Sequence, residues 1–422
     1  MSTPLRRSFR IVAATEHISA VSALLRAQSF EFEPEPFSPL AYRLVREPFP
    51  LGRSLAAFFG VIYIQDRSSM VPPVALAPPP GSLVVDMCAS PGSKTGLLAQ
   101  LVGRTGLVLG NEPNPSRLAT LRRNLNQLNL FQAVTCCHSG DALPLPDAFC
   151  DHIMLDPPCS GWGTTDKHPK VMTLWKDDKV RPLIGLQRAL LAKAASLLRP
   201  GGRLVYSTCT TNVEENEAQT RYARDELGLR PVPLEPLPGF AYMEPALPDV
   251  DGVLRIDEAE SEAQGFFIAA FTRDGTPGEE IPANGGAAGT WEQVPKEILA
   301  HGGLDDALLP PGVAGAFGDT VHMLPDTALA LLPPALRWQG AVLGKYGASR
   351  FRPSGRIRAC LREDAFVEVP RIDAESLDDL LALTQGRSLS TGRPGKQARL
   401  FWRGLPLGML TLKNGRAVWS EK

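Results

Sequence analysis

Two stretches of the sequence place reactive side chains directly after an apolar run. In IMLDPPCSGWG (153–163), three apolar residues precede Asp156, two prolines and Cys159. Proline has no N–H to give to a sheet, so the chain must leave the sheet at Asp156. A second apolar run in LVYSTC (204–209) ends at Cys209. Because open α/β sheets place ligands at the carboxyl ends of their strands, neighbouring strands here would bring two thiols and one carboxylate into one cleft.

A cofactor loop is predicted upstream, between a strand and a helix. The buried strand LVVD (83–86) runs into MCASPGSKT (87–95), whose small residues let the backbone approach a ligand while helix N–H groups point at its carboxylate. The next strand, LVLG (107–110), ends just before Glu112, an acid placed to accept both hydroxyls of a ribose. This βαβ arrangement predicts a nucleoside cofactor. The loop residues predicted to bind it are Cys88, Ala89, Ser90, Pro91, Gly92 and Lys94.

The composition of this loop limits which nucleoside cofactor it can bind. It is not a phosphate-binding P-loop, because Ser93 separates Gly92 from Lys94, and its single glycine rules out the GxGxxG of dinucleotide folds. S-adenosylmethionine has a ribose and a carboxylate but no phosphate, so it fits better than NAD or ATP. Asp141, in the turn GDA (140–142), is placed to meet an adenine amino group.

Length and composition indicate how many domains the chain has and in which kind of compartment it works. A chain of 422 residues is too long for one core of ordinary size and suggests two or three domains. No apolar run is long enough to span a bilayer, and Glu16 and His17 interrupt the apolar run near the start, so neither a membrane partner nor a secretory signal is predicted. Seven cysteines without a CxxC pair fit a reducing compartment, and we expect a cytoplasmic protein.

Charge is unevenly distributed along the chain although the formal net charge is only −1. The stretch 244–326 carries 3 basic and 16 acidic residues, whereas 337–422 carries 16 basic and 8 acidic residues. A basic terminal module is a plausible nucleic-acid surface. The alternative is that these arginines form solvated faces and internal ion pairs, and charge alone does not separate the two.

Strands alternate with helices through the middle of the chain, which predicts an α/β fold with a Rossmann-like, doubly wound sheet. We expect GFFIAAF (265–271) to be its last, edge strand, and 30–39 near the start to be a proline-broken acidic loop. The predicted parts are a region at 1–75 that flanks the cleft, the sheet domain at 76–275, a linker at 276–290 and a smaller α+β domain at 291–422.

Together, the motifs resemble those of the RNA cytosine-5 methyltransferases of the NOL1/NOP2/Sun family. The resemblance also implies a cofactor-binding role for Arg117 and an RNA partner for the regions at 1–75 and 291–422. The terminal motifs GKYG (344–347) and GLPLG (404–408) resemble the appended, PUA-like RNA-binding region of the bacterial rRNA methyltransferases of this family, which favours rRNA over tRNA. We expect a monomer. The motifs that carry the resemblance are DMCASPGSKT (86–95), Glu112 with Arg117, GDA (140–142), LDPPCSGWG (155–163), YSTCT (206–210) with EENE (214–217), and GFF (265–267).

The chemistry of such enzymes explains the reactive residues. Carbon 5 of cytosine is a poor nucleophile, and attack of a thiolate at carbon 6 turns it into an enamine carbon that accepts a methyl group. The resemblance assigns this attack to Cys209 and the release of the adduct to Cys159. Asp156 would stabilise charge on the nitrogen 3 side of the ring, and Lys94 would lower a cysteine pKa or orient Asp156. The target base must leave its stack, so an unpaired cytosine is expected.

Each of these assignments has a plainer alternative. Cys209 would be an ordinary buried strand-end cysteine, Glu112 a solvated turn acid, Lys94 a helix-surface lysine and Asp141 a loop or cap residue. Trp162, His168 and Trp175, as base contacts, compete with simple packing roles. The DPPC motif also resembles the DPPY-type motif of amino-methyltransferases, whose chemistry needs no thiol. A noncatalytic RNA-binding assembly factor is the alternative from another class of protein.

Overall fold

The computed structural model describes residues 6–162, 177–276, 285–363, 369–419 and 421. The first part of the chain folds into β1 (Ser8–Ile11), α1 (Ile18–Ala27), β2 (Glu31–Pro34), β3 (Ala41–Arg46), α2 (Leu55–Phe58), β4 (Ile62–Ile64) and α3 (Arg67–Leu76). The strands form an antiparallel sheet in the order β2-β3-β1-β4. Asp66 caps α3 by accepting a hydrogen bond from the Ser68 N–H at 3.1 Å.

The segment predicted as an acidic loop contains a strand instead. Two acids of β2 face arginines of β3, with Glu33 Oε1 2.5 Å from Arg43 Nε and Glu31 Oε1 3.3 Å from Arg46 Nη1. Opposite charges across a strand pair favour the pairing. Strand β2 lies at the edge of its sheet and ends at Pro34. A proline is tolerated at an edge because no further strand there needs the N–H that proline lacks.

The middle of the chain forms an eight-stranded mixed sheet in the order β10-β12-β9-β8-β5-β6-β7, with β11 also paired to β12. Its elements are β5 (Leu83–Asp86), α4 (Ser93–Val102), β6 (Leu107–Asn111), α5 (Pro115–Leu128), β7 (Ala133–Cys136), β8 (Cys150–Leu155), α6 (Asp177–Leu197), β9 (Leu198–Thr208), α7 (Glu217–Asp225), β10 (Leu229–Pro231), β11 (Leu254–Ile256), α8 (Glu258–Ser261) and β12 (Phe266–Arg273). Strands β5 to β9 pair with one another in parallel, which confirms the predicted Rossmann-like fold.

The order of these strands reverses between β5 and β8. The chain proceeds outward from β5 through β6 to β7 and then returns to place β8 on the other side of β5. Such a reversal opens a crevice beyond the carboxyl ends of the two strands, where α/β proteins bind ligands. A hydrogen bond from Met87 N–H to the Met154 carbonyl, 3.0 Å long, holds the two strand ends together.

The prediction that 265–271 forms an edge strand is wrong. Strand β12 lies between β9 on one side and β10 and β11 on the other, and it runs antiparallel to all three. Its first six residues are buried. Since β10 and β11 have three residues each, they are too short to show a strand pattern in the sequence.

Two five-stranded sheets follow, in the orders β13-β14-β15-β16-β17 and β18-β20-β21-β22-β19. Among the described helices, none combines the length and the apolar character of a membrane span. The elements are β13 (Glu292–Val294), α9 (Lys296–His301), β14 (Gly312–Phe317), β15 (Thr320–Pro325), α10 (Asp326–Leu331), β16 (Val342–Gly347), β17 (Arg350–Pro353), β18 (Arg371–Asp373), α11 (Leu377–Thr384), β19 (Leu389–Ser390), β20 (Gln397–Trp402), β21 (Leu405–Lys413) and β22 (Arg416–Val418).

The two ends of the chain share one hydrophobic core. Buried side chains of the first sheet, such as Phe9 and Leu25, belong to the same cluster as Leu380 and Leu410 from the last one. Arg358 crosses between the parts, because its buried guanidinium donates to carbonyls of 12, 60, 127 and 128. The Arg358 side chain therefore links the terminal region both to the first part of the chain and to the sheet domain.

Candidate active site

The carboxylate of Asp156 is held from both sides at the crevice. Strands β8 and β9 are parallel neighbours, with Leu155 opposite Tyr206, so the residues that follow them lie side by side. Ser207 Oγ donates to Asp156 Oδ1 at 2.8 Å, and Lys94 Nζ donates to Oδ2 at 2.7 Å. Both carboxylate oxygens thus have a fixed partner, and the side chain keeps 27% of its surface exposed for a ligand.

Lys94 reaches the crevice from the first turn of α4. It is buried, and its Nζ lies 4.9 Å from the centre of the Phe266 ring. Burial disfavours the charged form, but the Asp156 carboxylate outweighs burial and raises the pKa of Lys94. Lys94 is therefore a fixed positive charge of the crevice.

Two thiols from separate segments meet beside this carboxylate. The Sγ atoms of Cys159 and Cys209 are 3.3 Å apart, and both residues are half-buried. The hydrogen bond between them raises the pKa of Cys159 well above its ordinary value and lowers the pKa of Cys209, to which Lys94 also contributes. These opposite directions favour ionisation of Cys209 while Cys159 stays a thiol. Burial raises the pKa of Cys88 in the adjacent loop well above its ordinary value, which leaves it a thiol.

The predicted ribose acid lies at the end of β6 and is tied to the cofactor loop. Glu112 is almost fully buried, and its Oε1 accepts a hydrogen bond of 2.9 Å from the Asn114 N–H. Its Oε2 lies 3.4 Å from Arg117 Nη2. Arg117 in turn donates to the Ser90 carbonyl at 3.1 Å, and Ser90 Oγ donates back to the Arg117 carbonyl at 3.0 Å. Loop 87–93 and the start of α5 therefore form one unit.

The turn that carries Asp141 lies at the same edge of the sheet. Asn111 at the end of β6 donates to the carbonyls of Met87 and His138, which joins the cofactor loop to this turn. An added Cβ at Gly140 would lie 2.6 Å from Leu190 Cδ2, so a larger residue there would require this leucine side chain to move. Asp141 itself is exposed and accepts a hydrogen bond from Ser139 Oγ.

Asp86 and Ser207 are site residues that the sequence analysis did not single out. Asp86 ends β5, and burial raises its pKa to about 6 although Thr95 Oγ1 donates to its Oδ2 at 2.7 Å. The position of an acid at a strand's carboxyl end, next to the small-residue loop, is a signal that could have found it. Of the aromatic candidates, Trp162 is half-buried, while His168 and Trp175 lie outside the described residues.

The donor set of this crevice suits S-adenosylmethionine. Carboxylate oxygens such as those of Glu112 are the acceptors that ribose hydroxyls need, and backbone N–H groups such as those of the first turn of α4 are the donors that a carboxylate needs. Loop 87–93 carries no basic side chain for a phosphate, and Lys94 is already paired with Asp156. Within the described part of the chain, no group of three or more His, Cys, Asp or Glu side chains could hold a metal ion.

A Rossmann-like sheet with this crevice at its switch point defines the class of the protein as an S-adenosylmethionine-dependent methyltransferase. The chain belongs to the family of 16S rRNA methyltransferases RsmB/F, whose model matches residues 73–272. This confirms the resemblance to the NOL1/NOP2/Sun family that the motifs between 86 and 267 predicted.

Curated relatives show the same relationship. The chain is 31% identical over 342 residues to the ribosomal RNA small subunit methyltransferase F of Klebsiella pneumoniae, covering 79% of this chain and 70% of that protein. It is 33% identical over 289 residues to the protein of the same name from Cronobacter sakazakii, covering 66% of this chain and 59% of that protein. The matched part is thus 59–70% of the length of these two relatives.

Solved structures extend the comparison to the fold. A methyltransferase homologue from Pyrococcus horikoshii matches with a TM-score of 0.56 at 34% identity, covering 64% of this chain and 87% of that chain. NSun6 from Pyrococcus horikoshii, solved with the S-adenosylmethionine analogue SFG, matches with a TM-score of 0.56 at 19% identity. That match covers 65% of this chain and 92% of NSun6, and at this identity it bears on the fold alone.

Proposed function

We propose that the protein transfers a methyl group from S-adenosylmethionine to carbon 5 of a cytosine in ribosomal RNA. The observation that carries this proposal is the pair of sulfurs, Cys159 and Cys209, 3.3 Å apart beside the Asp156 carboxylate. An amino-methyltransferase has no use for such a pair. The names of the curated relatives and the RsmB/F family support ribosomal RNA over tRNA as the substrate.

Cys209 is the nucleophile of this reaction. Its thiolate is stabilised by the Cys159 S–H and by the charge of Lys94. Attack at carbon 6 forms a carbon–sulfur bond and shifts the 5,6 double-bond electrons to carbon 5, which becomes nucleophilic. When bound, S-adenosylmethionine supplies the methyl group as an electrophile on its sulfonium sulfur.

Asp156 and Lys94 orient the base and balance its charge. The Asp156 carboxylate, held by Ser207 and Lys94, faces the amidine edge of the ring, where it accepts a hydrogen bond from the amino group, or from nitrogen 3 once that nitrogen is protonated. The Lys94 ammonium offsets the negative charge that the ring gains from the thiolate. Because both groups are held before the base arrives, little reorganisation is needed during the reaction.

Cys159 assists release of the product. After methyl transfer, a base removes the carbon 5 proton, the 5,6 double bond forms again and the carbon–sulfur bond breaks, which returns the electron pair to the Cys209 sulfur. Because the two sulfurs are 3.3 Å apart, the Cys159 thiol is within reach to donate a hydrogen bond to the departing thiolate.

The remaining predicted contacts complete the cofactor site. We assign the ribose hydroxyls to Glu112, which Arg117 supports, and the adenine amino group to Asp141. The loop residues assigned to the cofactor are Cys88, Ala89, Ser90, Pro91, Gly92 and Lys94, with Asp156 at the boundary between cofactor and base.

The terminal region is proposed to bind the RNA backbone, as a PUA-like domain at 291–422. A groove of about 580 Å³ lies between its two sheets, and its basic residues suit phosphate contacts. Among the described residues that line it, Asp319 is the single acid, and it is 2.7 Å from Lys345 Nζ. The basic lining residues are Lys345, Arg350, Arg352 and Lys396. The region at 1–75, the linker at 276–290, the monomeric state and the cytoplasmic location also stay part of the proposal.

Methylation of ribosomal RNA by purified protein tests the proposal. With methyl-labelled S-adenosylmethionine, Cys209→Ser should lose about 10³-fold or more of the activity, because serine is not ionised at neutral pH. Cys159→Ala should accumulate protein covalently linked to RNA on a denaturing gel. Bisulfite sequencing should locate the product as 5-methylcytosine in wild-type reactions. Full activity of Cys209→Ser would instead favour an amino-methyltransferase, and no transfer by any form would favour an RNA-binding assembly factor.

A further inference from the structure

A buried carboxylate binds the segments next to the two thiols and has no described hydrogen bond to either sulfur. Glu215, the second acid of EENE (214–217), is fully buried. Its described hydrogen-bond donors are uncharged and come from three segments of the chain. They are the N–H of Ser160 at 3.0 Å, the Oγ of Ser160, the Nε2 of Gln187 at 2.9 Å and the Nδ2 of Asn212 at 3.1 Å.

These bonds fix the segment that carries Cys159 on both sides. Ser160, the next residue, donates twice to Glu215, while the carbonyl of Pro158, the preceding residue, accepts from Gln187 Nε2 at 3.0 Å. The same Gln187 amide group also donates to Glu215. The position of the Cys159 sulfur therefore depends on a network centred on the Glu215 carboxylate.

The segment that carries Cys209 is held mainly by Asn216, the residue that follows Glu215 in the sequence. Its Nδ2 donates to the Thr210 carbonyl at 2.9 Å, and its Oδ1 accepts from Thr208 Oγ1 at 2.5 Å. Cys209 lies between these two anchors. The two systems are joined by the 2.7 Å hydrogen bond between the hydroxyls of Ser160 and Thr210 and by the 3.2 Å bond that the Asn212 N–H donates to Thr210 Oγ1. The bonds from Asn216 to the Cys209 segment do not involve the Glu215 carboxylate.

Burying a carboxylate is costly unless its hydrogen bonds are complete, and a neutral pair of groups would fill this space at lower cost. Retaining the charge here gives four acceptor positions on two oxygens, which one amide cannot provide. An amide in place of Glu215 would turn an NH₂ group toward two of the four donors. The Cys159 segment would then have to move.

We propose that Glu215 is a positioning residue that places Cys159 for release of the product. This inference rests on the proposed function, since it concerns the same two sulfurs. Loss of the Glu215 charge should slow breakdown of the Cys209 adduct far more than its formation, because Asn216 still holds Cys209. A displacement of the order of 1 Å at Cys159 corresponds to about 10-fold to 100-fold in the rate of release.

The test compares Glu215→Gln with wild type and with Glu214→Gln. The Glu214 side chain is exposed, so Glu214→Gln is a matched control at the neighbouring position. In single-turnover reactions with ribosomal RNA, methyl transfer to RNA and the fraction of protein linked to RNA are followed in parallel. Glu215→Gln should raise the linked fraction and slow appearance of free methylated RNA by about 10-fold or more, with transfer itself changed much less. Glu214→Gln should match wild type.

A second variant covers the case in which Glu215→Gln does not fold. Gln187→Met keeps the approximate size of the side chain and releases the Pro158 carbonyl from the network, so it should also raise the linked fraction, by a smaller factor. Equal slowing of transfer and release in the folded variants, with no increase in linked protein, would overturn the positioning role. If Cys159→Ala also forms no linked species, the proposed function itself fails; if Cys159→Ala traps it and the others do not, only the role of Glu215 is wrong.

Discussion

Replacing Asp86 with asparagine should change how stability depends on pH. Burial raises the pKa of Asp86 from 3.8 to about 6, so the folded state favours the neutral acid. The favourable contribution of a group with a raised pKa is complete below pH 4 and is lost as the pH rises through 6. A difference of about two pKa units corresponds to about 3 kcal/mol of stability lost between pH 4 and pH 7. Asparagine stays neutral throughout this range, so the variant does not lose this stability.

Urea unfolding followed by tryptophan fluorescence, at fixed ionic strength and without cofactor, measures this effect. The unfolding free energy of Asp86→Asn minus that of wild type should increase by about 3 kcal/mol from pH 4 to pH 7 and stay constant above pH 8. Thr95 Oγ1 can still donate to the asparagine carbonyl, so the hydrogen bond is preserved in the variant. A difference that stays flat from pH 4 to pH 7 would refute the assignment of a buried, costly charge to the end of β5.

Three further predictions follow from the same contacts. Lys94→Met should shift the rise of the methylation rate with pH to higher pH, since Lys94 lowers the pKa of Cys209; an unchanged profile would contradict this. Hydrogen peroxide should join Cys159 and Cys209 in a disulfide, with peroxide reduced to water, so mass spectrometry should show the loss of two hydrogens and dithiothreitol should restore activity; Cys159→Ala should form no such bond. Arg358→Met should cost about 3 kcal/mol, seen as a lower Tm, because several carbonyls lose their buried donor; a Tm equal to that of wild type would exclude this role.

Elements with local signals were predicted closely. Helix α5 spans Pro115–Leu128 because proline stands at its first position, Asn114 caps its start and Asn129 ends it in the left-handed conformation, all of which are signals within the sequence itself. Strand β5 spans the residues predicted for it, Leu83–Asp86. Such ends depend on side chains within one turn of the boundary, so the sequence alone contains the information.

Pairing between strands that are distant in the sequence was predicted only where sequence motifs indicated that the strands are neighbours. The neighbouring positions of β8 and β9 follow from two apolar runs that each end in a reactive residue. The edge position of β12 was wrong, because its partners β10 and β11 are too short to be read from the sequence. Strand β2 was missed because Glu31 and Glu33 suggest a loop until the arginines opposite them are known.

The residues that hold the reactive groups in place are the ones that sequence reasoning could not interpret. Glutamate and arginine are rarely fully buried, so nothing in the sequence distinguishes Glu215 or Arg358 from surface residues. Their partners lie far away in the chain, with Ser160 and Gln187 reaching Glu215 from two other elements. Residues that contact a ligand follow strand ends and small-residue loops, which local patterns reveal. Residues that fix the distance between two sulfurs depend on several segments at once, and only the folded chain identifies them.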